Sequence, residues 1–204
     1  MPELLRALTE RRAQRAFAPE PVSDELLGLL WQAVSLAPSH GNTQPTRILV
    51  PATAEQRKAL DDALSEGNRG WATAAPVLAA LASIPEHSKP AENRDGTLRE
   101  LWAFNSGIAL GNLMAQGTEL GLIAHPMAGF DEPSVRAVFD VPKDVRILAV
   151  IAIGYPGDPS TLPQDLREKE TAPRQRLPLD RLVVRGQWTE QHGESARGPG
   201  KRRG

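Results

Sequence analysis

The chain has 204 residues and a formal net charge of −1, so its overall charge gives no reason to expect a nucleic-acid partner. It has no cysteine, which excludes disulfides, thiolate metal ligands and a cysteine nucleophile. No uninterrupted apolar run is long enough to span a bilayer, and the amphipathic N-terminus lacks the apolar core of a signal peptide. We therefore expect a cytoplasmic protein with no membrane partner, one domain over 1–186 and a disordered polar tail over 187–204.

The N-terminal segment predicts a short amphipathic helix over 3–12 that ends in a cluster of arginines. Arg11, Arg12 and Arg15 fall within five residues, just before a buried-type Phe17. Such clusters commonly lie on a solvated surface, but guanidinium groups also match the geometry of phosphate oxygens. The local sequence leaves both interpretations open.

The next stretch predicts a helix, a polar loop and a strand. Ser23 is a good N-cap for a helix over 24–36, and Pro38 ends that helix because the residue before proline avoids the helical conformation. The loop over 39–45, SHGNTQP, carries two amides and two hydroxyls, which fits either an ordinary turn or recognition of a polar heterocycle. A strand is predicted over 46–50.

The pattern then predicts a helix over 54–65 capped by Thr53, a turn over 67–71 and an apolar strand over 77–83. Residues 85–97 are polar and contain two prolines and a glycine. A segment of this composition buries little, so we expect a mobile surface loop or lid.

The stretch from Leu101 to Asp131 combines a nearly uncharged segment with a Gly- and Pro-rich exit. Apolar residues lie all round its helical wheel, which is typical of a helix buried on most sides. Gly107, Gly111 and Ala115 form a ridge without large side chains, so another helix, a partner subunit or a ligand packs close to it. Residues 125–129 are then predicted to form a corner.

The C-terminal part predicts one more helix and the strongest strand. Asp131 caps a helix over 132–139, and the continuous apolar run over 145–155 indicates a central strand covered on both faces. Residues 156–173 are expected to be turn-rich with little core, and residues 182–185 are expected to form a terminal edge strand.

The sequence lacks the common nucleotide-binding and hydrolase motifs. It contains no GxGxxG, Walker, HExxH or GxSxG pattern, and its histidines are scattered without further zinc ligands. We therefore predict no metal site and assign no catalytic acid or base. The arginine cluster, the polar loop and the Gly-rich corner are binding elements, so a cofactor that carries the reaction is the natural inference.

Taken together, six motifs in chain order resemble the FMN-dependent nitroreductase family. They are RRAQRAF, APSHGNTQP, GNRGW, ELGLIAHPMAGFD, ILAVIAIGYPGD and PRQRLPLD, and they span about residues 3–185. The resemblance implies an α+β fold with a central, mostly antiparallel sheet wrapped by helices, in an interlocked homodimer. It also implies that FMN lies at the subunit interface and that the helix after Leu101 lies in the dimer core.

The resemblance implies a set of cofactor-binding residues by position. The arginine cluster and a late basic pair would hold the FMN phosphate and ribityl chain, the loop after Ala37 would reach the cofactor from the partner subunit, and the corner would support the flavin ring. An amide in GNRGW would bond the pyrimidine edge of the flavin. The implied residues are Arg11, Arg12, Ala13, Arg15, Pro38, Ser39, His40, Asn42, Asn68, Pro126, Met127, Ala128, Gly129, Arg174 and Arg176.

Two positions depart from the family pattern. Ala13 stands where many relatives carry serine, so one hydroxyl contact to the cofactor is lost. Ala128 stands where the best-known nitroreductases carry glutamate near flavin N5, so the role of that carboxylate cannot be transferred. A backbone N–H at the corner is then the group expected to reach N5.

The implied activity is NAD(P)H-dependent reduction. NADH or NADPH reduces FMN, and the flavin then reduces a nitroaromatic, a quinone or a similar small acceptor in a ping-pong mechanism. The alternatives on the same fold are dehalogenation, flavin destruction, oxidation of amines or azolines, and non-enzymatic flavin binding or storage. Trp102 and Phe104 fit either plain core packing or stacking on an aromatic acceptor.

Overall fold

The computed structural model describes residues 3–88 and 90–193, with a four-stranded sheet at the centre of the fold. The strands are β1 (Thr46–Leu49), β2 (Val77–Ser83), β3 (Ala91–Glu92), β4 (Leu98–Arg99), β5 (Ile123–Met127) and β6 (Arg146–Gly154). The helices are α1 (Arg6–Thr9), α2 (Asp24–Ser35), α3 (Ala54–Ala63), α4 (Glu66–Ala72), α5 (Leu101–Glu119), α6 (Glu132–Val138), α7 (Gln164–Thr171) and α8 (Leu179–Leu182).

The main sheet has the strand order β1-β2-β6-β5, and every neighbouring pair is antiparallel. Strand β6 lies between β2 and β5, which confirms the central position predicted from its continuous apolar run. Strands β3 and β4 pair separately as a short antiparallel ribbon. The α+β class and the antiparallel character of the sheet are therefore as expected.

Both faces of the sheet are covered by helices. Along β6, Val150 and Ala152 belong to an apolar cluster shared with α3, α4 and α6, whereas Ile151 and Ile153 belong to a second cluster shared with α2 and α5. Side chains of a strand alternate between its two faces, so these clusters lie on opposite sides of the sheet. This layering explains why β2 and β6 are almost fully apolar.

Three predicted N-caps are confirmed. The side-chain oxygens of Ser23, Thr53 and Asp131 each accept a hydrogen bond from the backbone N–H three residues later. Each bond satisfies a donor that the first turn of a helix leaves unpaired. The helices that they start, α2, α3 and α6, are within two residues of their predicted limits.

Several local predictions were wrong. The first helix is one turn long rather than ten residues, and GNRGW lies inside α4 rather than in a turn. Residues 85–97, expected to form a mobile surface loop or lid, contain a 3-10 turn over Pro85–His87 and part of the β3–β4 ribbon, and their mobility stays a prediction. In the ribbon turn, Asp95 accepts hydrogen bonds from the backbone and hydroxyl of Thr97, which supplies local order to a polar segment.

The segment after β6 also differs from the prediction. Residues expected to be turn-rich contain α7, in which Gln164 bonds Glu168 and Lys169 bonds Asp165 one turn apart. The predicted edge strand over 182–185 does not form: Leu182 ends the helical turn α8, and residues 183–185 belong to no strand.

The chain divides into two compact units, the first ending at Glu170 and the second beginning at Thr171. The second unit contains α8 and a 3-10 turn over Glu190–Gly193. Most of the predicted disordered tail, residues 194–204, lies outside the described residues, so its disorder stays a prediction.

Within one protomer, α5 is buried on one side only. Asn105, Ala109 and Leu113 are buried, whereas Phe104 is 64% exposed and Gly107 is also exposed. A Cβ added at Gly107 or Gly111 would meet no atom within 4 Å. The predicted ridge therefore faces outward from the protomer.

None of the helices in the described part of the chain is long and apolar enough to cross a membrane.

Candidate functional site

The arginine cluster lies in a segment without helix or strand that is fixed to three distant parts of the chain. The carboxylate of Glu170 accepts hydrogen bonds from the backbone N–H of Arg15 and Ala16. His125 Nδ1 lies 2.7 Å from the carbonyl oxygen of Gln14, and the N–H of Gly157 donates to the carbonyl of Ala16. The segment is thus held by α7, β5 and the turn after β6.

A cluster of three aromatic rings, from Phe17, Trp71 and His125, packs against the arginine segment. The Trp71 ring is buried, with the Phe17 ring stacked at a centroid distance of 6.3 Å and the His125 ring at 4.5 Å. The guanidinium carbon of Arg15 lies 5.8 Å from the centroid of Trp71, within the range of a cation–π interaction. Trp71 therefore joins α4 to the arginine segment and to β5.

His125 is a buried titratable group in this cluster. Burial lowers the pKa of His125, the hydrogen bond to Gln14 opposes that shift, and the positive charges of Arg15 and Arg11 lower the pKa further. The negative charge of Glu170 partly offsets the two arginines. Arg11 and Arg15 thus both act electrostatically on the same residue of β5.

Gly129, in the predicted corner, is in contact with Asn68, the predicted amide of GNRGW. The carbonyl of Gly129 accepts hydrogen bonds from the N–H of Ser65 and from the Asn68 side-chain amide, each over 2.9 Å. A Cβ at Gly129 would lie 2.5 Å from Ser65 Oγ and 2.7 Å from Asn68 Nδ2. Any larger residue at position 129 would displace the Ser65 hydroxyl and the Asn68 amide, and the two hydrogen bonds hold the turn after β5 against the start of α4.

The corner itself starts later than predicted. Pro126 and Met127 belong to β5, where they are paired with Ile151 and Val150 of β6. A proline is tolerated here because β5 is an edge strand, so its missing N–H does not interrupt a second ladder. Met127 is buried, while Ala128 is exposed and its small side chain leaves the backbone accessible.

The loop after α2 occupies a different place. Pro38 and Ser39 line a cavity of about 450 Å³ whose wall also includes Trp31, Arg47 and Asn105. None of the arginines in the N-terminal cluster, and no residue of the corner, belongs to the wall of this cavity as the described residues define it. The sequence-predicted residues of the first unit therefore fall into two groups.

The loop is exposed and locally well ordered. His40 and Asn42 are exposed, and Asn42 adopts a positive φ of 55°, which an asparagine tolerates better than most residues. The N–H of His40 donates to Asn105 Oδ1, and the N–H of Gln44 donates to Ser39 Oγ. His40 and Asn42 are thus exposed, whereas Thr43 bonds the buried Ser88 and Pro45 is itself buried.

The late basic pair lies in the second unit, where Arg174 and Arg176 are both exposed. Their implied role at the cofactor phosphate stays a prediction.

Among the described residues there is no cluster of three or more histidine, aspartate or glutamate side chains suited to a metal ion.

Sequence reasoning missed Glu170 and the contact of Trp71 with Arg15. The region around Glu170 was interpreted as turn-rich because of its flanking prolines and charges. The run from Gln164 to Thr171, which contains neither glycine nor proline and has polar pairs four apart, was the available signal for a helix.

Comparison with known proteins gives a consistent result. The model of the nitroreductase family matches residues 8–70 and 64–155. A Streptomyces coelicolor protein named NADH dehydrogenase/NAD(P)H nitroreductase is 33% identical over 165 residues, which are 74% of this chain and 82% of that protein. The Thermus thermophilus NADH dehydrogenase is 31% identical over 204 residues, with 87% of this chain and 93% of that protein covered.

A solved structure agrees with the sequence matches. The crystal structure of an oxidoreductase containing FMN superimposes with a TM-score of 0.80 and 30% identity, over 92% of this chain and 93% of the other. The chain therefore belongs to the nitroreductase family, as its motifs predicted.

Proposed function

We propose that this protein is an FMN-dependent oxidoreductase that uses NADH or NADPH to reduce small acceptors such as nitroaromatics and quinones. The relatives named NADH dehydrogenase/NAD(P)H nitroreductase and the FMN-containing structure support this class of activity. Within the proposal, the nicotinamide and the acceptor bind in turn, as a ping-pong mechanism requires.

One observation carries the proposal: stretches from distant parts of the sequence that the family motifs assign to the cofactor meet in one protomer. Arg15 lies against Trp71, Trp71 lies against His125, and Asn68 bonds the corner at Gly129. This places the GNRGW segment between the arginine cluster and the end of β5.

The chemistry of these residues fits FMN. Guanidinium groups bind phosphate through charge-assisted hydrogen bonds, so Arg11, Arg12 and Arg15 would hold the phosphate end. Asn68 keeps its side-chain oxygen as an acceptor after its amide donates to Gly129, which suits the polar edge of a flavin ring. The exposed backbone at Ala128 would lie along the ring.

The protein's contribution is binding and orientation. A bound FMN would supply the transfer of hydride and electrons from the nicotinamide to the acceptor, which is chemistry that no side chain here supplies. Ala13 and Ala128 add no titratable group, and we assign no catalytic acid or base. The arginines fix one end of the cofactor, while Asn68 and the corner fix the other.

We further propose that the site is completed in a homodimer. The outward face of α5, with Phe104, Gly107 and Gly111, offers an apolar surface that a second copy would cover. The exposed loop with Pro38, Ser39, His40 and Asn42 would then contact the cofactor of the partner subunit. In this arrangement the late basic pair, Arg174 and Arg176, closes on the phosphate, and residues 1–186 form the functional domain.

A steady-state screen tests the proposed activity. Purified protein supplied with FMN is assayed with NADH and with NADPH against a panel of quinones and nitroaromatics. Parallel lines in double-reciprocal plots are expected, because a ping-pong enzyme releases the first product before the acceptor binds. Flavin-dependent activity limited to dehalogenation, amine oxidation or flavin breakdown would favour those alternatives instead.

A further inference from the structure

Two buried side chains hold the backbone at the centre of the arginine cluster. They come from elements far away in the sequence, Glu170 from α7 and His125 from β5. Glu170 lies outside the predicted cofactor site, and His125 opens the predicted corner over 125–129 but is not among the implied cofactor-binding residues.

Glu170 fixes two consecutive backbone amides. Its Oε1 accepts from the N–H of Arg15 over 2.8 Å and from the N–H of Ala16 over 3.3 Å, and its Oε2 accepts from Arg15 over 3.0 Å. The side chain is 2% exposed, and the Arg15 guanidinium lies 3.6 Å away. Burying a carboxylate raises the free energy of the folded state unless hydrogen bonds compensate for the lost water. The bonds to Arg15 and Ala16 provide that compensation for Glu170.

His125 contacts the opposite edge of the Gln14–Arg15 peptide, at its carbonyl oxygen, whereas Glu170 bonds the N–H of the same peptide. A carbonyl oxygen can only accept, so the contact of 2.7 Å with Gln14 requires that the Nδ1 atom of His125 carry the proton. Burial and the neighbouring arginines lower the pKa of His125 and favour the neutral ring, which leaves Nε2 without a proton. The Trp71 ring packs beside the imidazole and limits its rotation.

We infer that His125 and Glu170 are positioning residues for phosphate binding: together they hold the peptides of residues 14–16 so that the adjacent arginines are preorganised for a phosphate group. The inference rests on the proposed function, since the phosphate in question is that of FMN. A segment with no helix or strand of its own would otherwise have to be ordered by the ligand, and that ordering would weaken binding.

The experiment compares FMN with riboflavin, which has the same ring and ribityl chain but no phosphate. Dissociation constants for both are measured by flavin fluorescence titration on wild type, His125→Phe, His125→Asn and Glu170→Gln. Phenylalanine keeps a ring beside Trp71 but cannot donate to Gln14, whereas asparagine keeps a donor near the position of Nδ1. Glutamine keeps the size of Glu170 but replaces one acceptor oxygen with an amide that repels the backbone N–H groups.

We expect His125→Phe and Glu170→Gln to weaken FMN binding about tenfold or more and riboflavin binding less than about twofold. His125→Asn should bind FMN within about threefold of wild type. Glu170→Gln tests the inference independently of the histidine variants, because removing a negative charge near the phosphate would by itself tighten FMN binding.

Equal losses for the two flavins, or unchanged or tighter FMN binding in Glu170→Gln, would overturn the inference while leaving the proposed function intact. A wild-type protein that binds neither flavin would instead overturn the proposed function.

Discussion

The side-chain amide of Asn68 donates a hydrogen bond to the carbonyl oxygen of Gly129 across 2.9 Å, and it thereby joins α4 to the turn that follows β5. The Cα of Gly129 approaches Ser65 and Asn68 so closely that no other residue fits without displacement. The contact fixes the relative position of two stretches that we assign to the flavin ring.

Gly129→Ala should therefore destabilise the protein by about 1–3 kcal/mol, the usual cost of forcing an extra methyl group into a packed site. It should also weaken FMN binding, because the corner and Asn68 must separate. Chemical denaturation and flavin titration measure the two effects. The matched control is Gly67→Ala in α4, whose added Cβ meets nothing within 4 Å and should not lower stability. Equal behaviour of the two variants would contradict the assigned role of the contact.

The arginine cluster should provide much of the affinity for the cofactor phosphate. Arg11→Ala and Arg15→Ala are each expected to weaken FMN binding by roughly 1.5–3 kcal/mol, the size of a hydrogen bond to a charged group. The effect should shrink as salt concentration rises. Lys58→Ala is the control, since this exposed lysine pairs only with Asp62 on the surface of α3. Unchanged FMN affinity in both arginine variants would remove the phosphate clamp.

Stability should depend on pH through His125. Burial lowers the pKa of this imidazole in the folded state, so the unfolded state binds the proton more readily. The contribution of His125 to the free energy of unfolding is then complete above the ordinary imidazole pKa of 6.5 and is lost as the pH falls through and below that value. Urea titrations of the apoprotein between about pH 8 and pH 5 should show this loss. In His125→Asn the same pH range should produce a shallower fall, and an unchanged slope would exclude His125 as its source.

The outward face of α5 should mediate dimerisation. Phe104→Glu introduces a charge into a side-chain position that is 64% exposed in the protomer, so it should be tolerated by the protomer fold but oppose burial against a second copy. Analytical ultracentrifugation is expected to show dissociation, with loss of FMN as the shared site separates. Ala74→Glu, in the exposed turn that follows α4, is the control and should leave the dimer intact. A monomeric variant that retains tight FMN binding would contradict the shared site.

Local sequence rules recovered several of the main elements. Strand β2 has the predicted limits, β6 is central because its apolar run needs cover on both faces, and Ser23 and Thr53 cap the helices predicted from them. These features depend on nearby residues or on average burial, which the sequence displays directly.

The remaining features depend on contacts between distant residues. The chain from His125 to Met127 has the composition of a turn, yet pairing with the strong strand β6 makes it an edge strand. The bonds from Glu170 to Arg15 and Ala16 span more than 150 residues, so no local pattern could assign them. The candidate arginines were recognised from family motifs, whereas the groups that hold them required the fold.

The central claim is that this chain binds FMN in a form that reduced nicotinamide can reach. The most direct measurement is stopped-flow absorbance of the FMN-loaded protein mixed with NADH or NADPH under anaerobic conditions. The account predicts loss of the oxidised flavin band on the millisecond-to-second scale, followed by recovery when a quinone is added. A flavin band that persists with both nicotinamides, or a purified protein that gains neither flavin absorbance nor stability from added FMN, would contradict it.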